Sequence, residues 1–156
     1  MNISNRLSRQ SQRLLQIGVA LFLFSSLEGF VIPSLPVPRL GLSVHTLSSL
    51  QGVVLVALGL LWTKLKLNAA QSRIACWCFV YSTFATLIPY VLAAIWGAGN
   101  TIIPLAAGSA RGTDLQEIVI TIILYTAAPT VILSLILILW GLRVMPGQPE
   151  SSPSQP

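Results

Sequence analysis

Four long apolar stretches, separated by short polar breaks, organise this chain. They run from about Leu14 to Ile32, Val44 to Trp62, Ile74 to Trp96 and Ile118 to Leu142. A helix rises about 1.5 Å per residue, so roughly 20 apolar residues cross a hydrocarbon core of about 30 Å. Backbone N–H and C=O groups in lipid must pair within their own segment, so each stretch is expected to be a helix and not a lone strand. The pattern therefore predicts an all-α protein, a four-transmembrane-helix bundle over residues 14–143. A basic stretch, residues 1–13, precedes it. A Pro- and Ser-rich tail, residues 144–156, follows it and is expected to be disordered.

The breaks differ in kind. Pro33, Pro36 and Pro38 predict an extended, stiff first connection. Lys64 to Arg73 is a short basic turn, and Gly97 to Gln116 is a longer glycine-containing loop. Thr113 is a candidate N-cap for the last helix, and Asp114 and Glu117 suit the positive end of its dipole.

Composition sharpens this picture. Of 156 residues, 54% are apolar and only 8% are charged, against about 25% charged in an ordinary soluble domain. So few charges cannot cover a water-facing globule, which excludes a soluble enzyme, and the high hydrophobicity excludes disorder for the body of the chain. The net charge of +5 has a topological reading. Four spans place Arg6, Arg9, Arg13, Lys64, Lys66, Arg73 and Arg143 on one side and only Arg39 and Arg111 on the other. By the positive-inside rule both termini are cytoplasmic, in a multi-pass protein of the plasma (inner) membrane. These charges flank the spans and form no continuous stripe, so they suit anionic lipid headgroups and not nucleic acid. The first stretch follows basic residues as a signal peptide would, yet it is long, contains Glu28 and precedes no small-x-small site, so a mature helix is expected.

Polar residues within the spans carry the chemical information, because an unpaired ionisable group at bilayer depth costs roughly 3 kcal/mol or more. His45 is the single histidine. Successive helical residues turn by about 100°, which puts Ser49 and Gly52 on its face and Gly59 deeper on the same stripe. One reading of a histidine above small residues is a close helix–helix contact. The other is a flat cofactor lying on those residues and ligated by the imidazole. Gln51 lies roughly 120° round the helix from His45. Thr83, Thr86 and Tyr90 share a face of the third helix, either as interhelical glue or as a pocket wall, and Pro89 is expected to bend that helix. Glu28 shares a face with Ser25; its carboxyl is either protonated, paired with a group from another helix, or solvated near the outer headgroups, and the nearness of Pro33 favours the last. Cys76 and Cys78 point in different directions and read as small apolar fillers. The sequence holds no phosphate loop, dinucleotide fingerprint, zinc spacing or Ser/His/Asp set. No nucleotide cofactor is expected, and a reaction without cosubstrate, such as an isomerisation, fits.

From His45 outward the chain resembles the hydroxylaminobenzene mutases. The resemblance lies in Pro38-Arg39-Leu40-Gly41-Leu42-Ser43-Val44-His45, Gly59-Leu60-Leu61-Trp62, Ala93-Ala94-Ile95-Trp96-Gly97-Ala98-Gly99, Gly112-Thr113-Asp114-Leu115-Gln116-Glu117 and Leu139-Trp140-Gly141-Leu142-Arg143. In order and spacing these cover roughly Leu14 to Arg143. The resemblance implies a small four-helix membrane enzyme that converts an N-aryl hydroxylamine to an aminophenol. A more remote resemblance to styrene oxide isomerases implies haem b held between subunits of a homo-oligomer, a trimer in that family. It implies His45 as the axial ligand, Gln51 in place of a pocket asparagine and Tyr90 as a pocket tyrosine. The chain departs from the mutases at Thr46-Leu47-Ser48-Ser49-Leu50-Gln51-Gly52, where they carry Leu-Glu-Gly and then Asn-Gly. It departs again at Thr83-Phe84-Ala85-Thr86, where a Tyr-Ala-Asn-type run is common.

The functional expectation is thus a membrane isomerase acting on a small aromatic, with haem iron as Lewis acid. His45, Ser49 and Gly52 are expected to bind the cofactor, and Tyr90, Gln51, Thr83 and Thr86 to orient the substrate. The competing class is a non-enzymatic haem- or quinone-binding membrane module.

Overall fold

The structure, a computed structural model, describes residues 3–143. The expected disordered tail, residues 144–156, lies outside the described residues. Helix α1 spans Ile3–Glu28, α2 Pro38–Leu61, α3 Ala69–Trp96, α4 Pro104–Ala107 and α5 Asp114–Gly141, with single 3-10 turns at Ile32–Ser34 and Trp62–Lys64. The described residues contain no strand. Helices α2, α3 and α5 are long and apolar enough to cross a membrane. α1 is a fourth long helix whose polar first turns set it apart.

The ends of the helices follow from local chemistry. α2 begins with Pro38 at its first position, where the missing N–H leaves nothing unpaired. The first connection is accordingly not extended along its length, as the three prolines suggested: Pro33 sits inside a 3-10 turn and Pro38 inside a helix. Two reciprocal capping boxes start α3 and α5. The Asn68 side chain accepts from the Gln71 N–H at 2.8 Å while Gln71 accepts from the Asn68 N–H at 3.1 Å. Thr113 and Gln116 repeat the arrangement, which bears out Thr113 as the cap. α3 ends on Gly97, whose φ of 63° lies in the left-handed region open to glycine. Pro89 and Pro129 sit inside α3 and α5 without ending either helix.

The helices associate as two antiparallel pairs. α1 runs along α2, and α3 along α5; α2 and α3 join the pairs. Small residues make the first pair close. A Cβ on Gly18 would lie 2.8 Å from Val56 Cγ2 and 2.9 Å from the Gly52 carbonyl oxygen. One on Gly59 would lie 2.8 Å from Leu15 Cγ, and the Ser11 hydroxyl donates to the Gly59 carbonyl at 2.7 Å. Thus α1 accompanies α2 from Gly59 back to His45. In the second pair the Ser134 hydroxyl donates to the Ala75 carbonyl at 2.8 Å, and the Tyr81 and Thr126 hydroxyls meet at 2.8 Å. Gln10 ties the two pairs at one end, its Oε1 accepting from Trp62 Nε1–H at 3.0 Å and from the Ser72 hydroxyl at 2.6 Å. Between α1 and α3 direct packing is sparse, and a seam lined by apolar side chains remains.

Candidate functional site

His45 lies in the second turn of α2, where that helix meets the end of α1. Its Nδ1 is 3.0 Å from the Ser25 carbonyl oxygen and 3.1 Å from the Ser25 hydroxyl. A carbonyl can only accept, so Nδ1 carries the hydrogen and, in the neutral ring, the lone pair resides on Nε2. Gly29 lies against the Cε1–Nδ1 edge, 3.6 Å from where a Cβ would stand. Nε2 has no hydrogen-bond partner among the described residues, and the His45 side chain is 40% exposed. An imidazole anchored through one nitrogen with the other left free is the geometry of a metal-ligating histidine. The Ser25 hydroxyl holds the neighbourhood together, donating to the His45 carbonyl at 3.0 Å and meeting the Ser49 hydroxyl at 2.7 Å. Among the described residues no three His, Cys, Asp or Glu side chains converge. The site thus offers one imidazole nitrogen, His45 Nε2, as a donor to a bound group.

Glu28 is more enclosed than the favoured one of its three sequence readings, the solvated carboxyl, and lies beside another helix. Its side chain is only 11% exposed, with Oε2 3.6 Å from His45 Nδ1. Both carboxyl oxygens are shielded and accept no hydrogen bond among the described residues. The group borders an apolar cavity of about 330 Å³ at the seam, lined by Phe24, Leu27, Val31, Val44, Val91 and Ala94. The sequence signal was there in part. Ser25 lies three residues before Glu28 and so on the same face, and that face is the one His45 meets.

The other expected site residues are dispersed. Ser49 and Gly52 do share the face of His45, but α1 covers that face: Ser49 bonds Ser25, and a Cβ on Gly52 would lie 3.0 Å from the Gly18 carbonyl oxygen and 3.3 Å from Phe22. They form a helix–helix contact with α1 within one chain. Tyr90 lines a different cavity, of about 660 Å³, with Leu47, Leu50, Ile103 and Pro104, on another flank of α2. Its hydroxyl has no partner among the described residues. Gln51 has its Oε1 shielded and unpartnered. The Thr83 and Thr86 hydroxyls turn back onto their own helix, donating to the Phe79 carbonyl at 2.9 Å and the Ser82 carbonyl at 2.8 Å. They bridge no helices.

The loop after α3 is fixed by a carboxylate that the sequence suggested only as a helix-dipole partner. Glu117 is 4% exposed. Its Oε1 accepts from the Gly99 N–H at 2.8 Å and the Gly112 N–H at 3.1 Å, and its Oε2 from the Thr101 N–H at 3.1 Å. Arg39 donates to the Leu105 carbonyl at 2.9 Å and so fastens the same loop to the start of α2. Together they hold the wall of the cavity that contains Tyr90.

Comparison with known proteins adds kinship to this geometry. The family model described as styrene oxide isomerase matches residues 10–143. Hydroxylaminobenzene mutase HabB of Ectopseudomonas oleovorans is 41% identical over 138 residues, covering 88% of this chain and 84% of that protein. Hydroxylaminobenzene mutase HabA of the same organism is 36% identical over 125 residues, covering 80% and 93% respectively. No solved structure matches the chain.

Proposed function

The chain belongs to the styrene oxide isomerase family, and from that premise we propose that it is a membrane-embedded mutase converting an N-aryl hydroxylamine to an aminophenol. The observation that carries the reading is His45, with Nδ1 spent on Ser25 and Nε2 free on a part-exposed flank. In the reaction the N–O bond breaks and a C–O bond forms at the ring carbon ortho to nitrogen. That carbon loses a proton and nitrogen gains one. Substrate and product are isomers, so no electron acceptor is required.

His45 Nε2 would hold haem b, which when bound supplies Lewis acidity that weakens the N–O bond. The chain does the rest. The Tyr90 hydroxyl, which faces a cavity and has no partner among the described residues, would orient the substrate and face the charge that develops on it, and Gln51 would do so only where its shielded Oε1 is uncovered. Thr83 and Thr86 keep acceptor capacity after donating to their own helix. Apolar surroundings exclude water, which would otherwise capture the electron-poor ring. His45 and Tyr90 address different flanks of α2, so a site containing both needs the Tyr90 flank of one copy against the His45 flank of another. A homo-oligomer supplies that, and the remote family resemblance suggests a trimer.

The same reading assigns four spans. α1 lies beside α2 over the length from Gly59 to His45, which supports a fourth crossing alongside α2. Both termini and the Lys64–Arg73 turn then lie in the cytoplasm, in the plasma (inner) membrane. The test uses protein purified in mild detergent with haem supplied. We expect a Soret band, loss of that band in His45→Ala, and aminophenol from hydroxylaminobenzene without added cosubstrate. A Soret band without turnover would favour a haem-holding module, and no band in the wild type would remove the haem assignment.

A further inference from the structure

Glu28 is the one ionisable residue lining the two apolar cavities between α1 and α3, and among the described residues nothing hydrogen-bonds its shielded carboxyl. Both oxygens lack a hydrogen-bond donor among the described residues. The nearest is His45 Nδ1, whose hydrogen is committed to Ser25 and which stands 3.6 Å away, beyond hydrogen-bond reach. A buried polar group left without a partner costs about 1–3 kcal/mol, more for a charged one, so the site is incomplete as folded. The void beside it is otherwise apolar, walled by Phe24, Leu27, Val44 and Val91, with a volume of about 330 Å³. An apolar cavity of about 150 Å³ already accommodates benzene, so the space suits one aromatic ring with a small substituent.

We propose that this cavity is a binding site for a single-ring aromatic bearing an N–H or O–H group, with Glu28 accepting a hydrogen bond from that group. The apolar walls take the ring and the carboxyl fixes which end enters toward His45. A lipid acyl chain would fill the apolar part but carries no donor for Glu28. A second apolar cavity of about 450 Å³ continues along the same seam and shares Phe24 and Val91 with the first. It extends the path along α1 and α3 toward the lipid-facing side chains. This assignment deepens the mutase reading, since an aryl hydroxylamine is such a molecule, but its test is one of binding.

The experiment compares 4-fluoroaniline with 4-fluorotoluene, near-isosteric probes that differ in the donor group, by 19F NMR titration of the full-length protein in nanodiscs. In the wild type the aniline should bind about tenfold more tightly, the worth of one hydrogen bond to a charged or strongly polar acceptor. In Glu28→Leu that preference should vanish while 4-fluorotoluene still binds. In Val91→Trp, which fills the seam without touching Glu28, both should be lost. Circular dichroism on each variant reports whether it is folded, and Glu28→Gln, which keeps an acceptor oxygen, provides a second variant that should retain part of the preference. Equal binding of the two probes by the wild type, or a preference that survives in Glu28→Leu, would overturn the assignment. So would failure of both probes with co-purified acyl chains found in the preparation. Aminophenol formation is measured in parallel: turnover without the donor preference sinks this proposal alone, and the preference without turnover sinks the mutase reading alone.

Discussion

At the scale of single residues, Glu117 shows how far one carboxylate organises its surroundings. Three backbone N–H groups from Gly99, Thr101 and Gly112 converge on it. The Gly99 amide, which is buried, would otherwise be an orphan. Glu117→Gln replaces one acceptor oxygen with an NH2 that faces donors. We expect it to lower stability by about 3 kcal/mol, the cost of a lost charged acceptor and an unpaired amide. Hydrogen exchange should speed up at Gly99, Thr101 and Gly112 while amides in the middle of α3 keep their protection. Uniform loss of protection would show that the loop is not held locally. This role was not legible in the sequence. An acidic residue in a first helical turn already has a sufficient reason in the helix dipole, and the three donors lie up to 18 residues away. The burial of Glu28 escaped for a related reason. It depends on where His45 of another helix comes to rest, and Pro33 suggested a surface position instead.

Between elements, the tight contact of α1 with α2 is made by absent side chains. At Gly18 an added Cβ meets backbone, the Gly52 carbonyl oxygen and Val56 N at 2.9 and 3.0 Å, which cannot swing aside. Gly18→Val should push the helices apart and destabilise the protein by about 1–3 kcal/mol, the usual cost of overpacking. Ala57→Val, on the exposed side of α2, serves as a control and should change the unfolding midpoint little. An equal effect of the two would mean that the pair is not close-packed in the membrane. The helices themselves were largely readable from sequence, because α2, α3 and α5 each carry a long apolar run and Thr113 announces a cap. What the stripe His45, Ser49, Gly52 and Gly59 faces was not readable. Small residues at that spacing serve a helix neighbour and a flat ligand equally well, and only the placement of Gly18 and Leu15 opposite them decides. Tyr90, Thr83 and Thr86 were grouped by helical spacing, yet the hydroxyl direction differs, because a threonine can bond its own helix backbone while a tyrosine reaches beyond it.

At the scale of the whole molecule, the orientation in the membrane is open to direct measurement. A green fluorescent protein fused after Pro156 should fluoresce, and alkaline phosphatase at the same place should be inactive, since the C-terminus is expected in the cytoplasm. A cysteine introduced at exposed Arg111, in a background with Cys76 and Cys78 replaced by alanine, should react with an impermeant maleimide added to intact cells. The reverse pattern would invert the arrangement, and a reactive residue 111 with a non-fluorescent fusion would mean that α5 does not cross. The open seam has a consequence for how such a protein is assayed. Its walls include Leu27 and Ile95, which are 59% and 55% exposed on a flank expected to face lipid. A solute reaching the cavity sideways from oil responds to its mole fraction in the bilayer and not to its molarity in buffer. Adding empty vesicles to a fixed total amount of a strongly partitioning solute would then dilute it, and the apparent KM would rise with phospholipid content although no residue had changed.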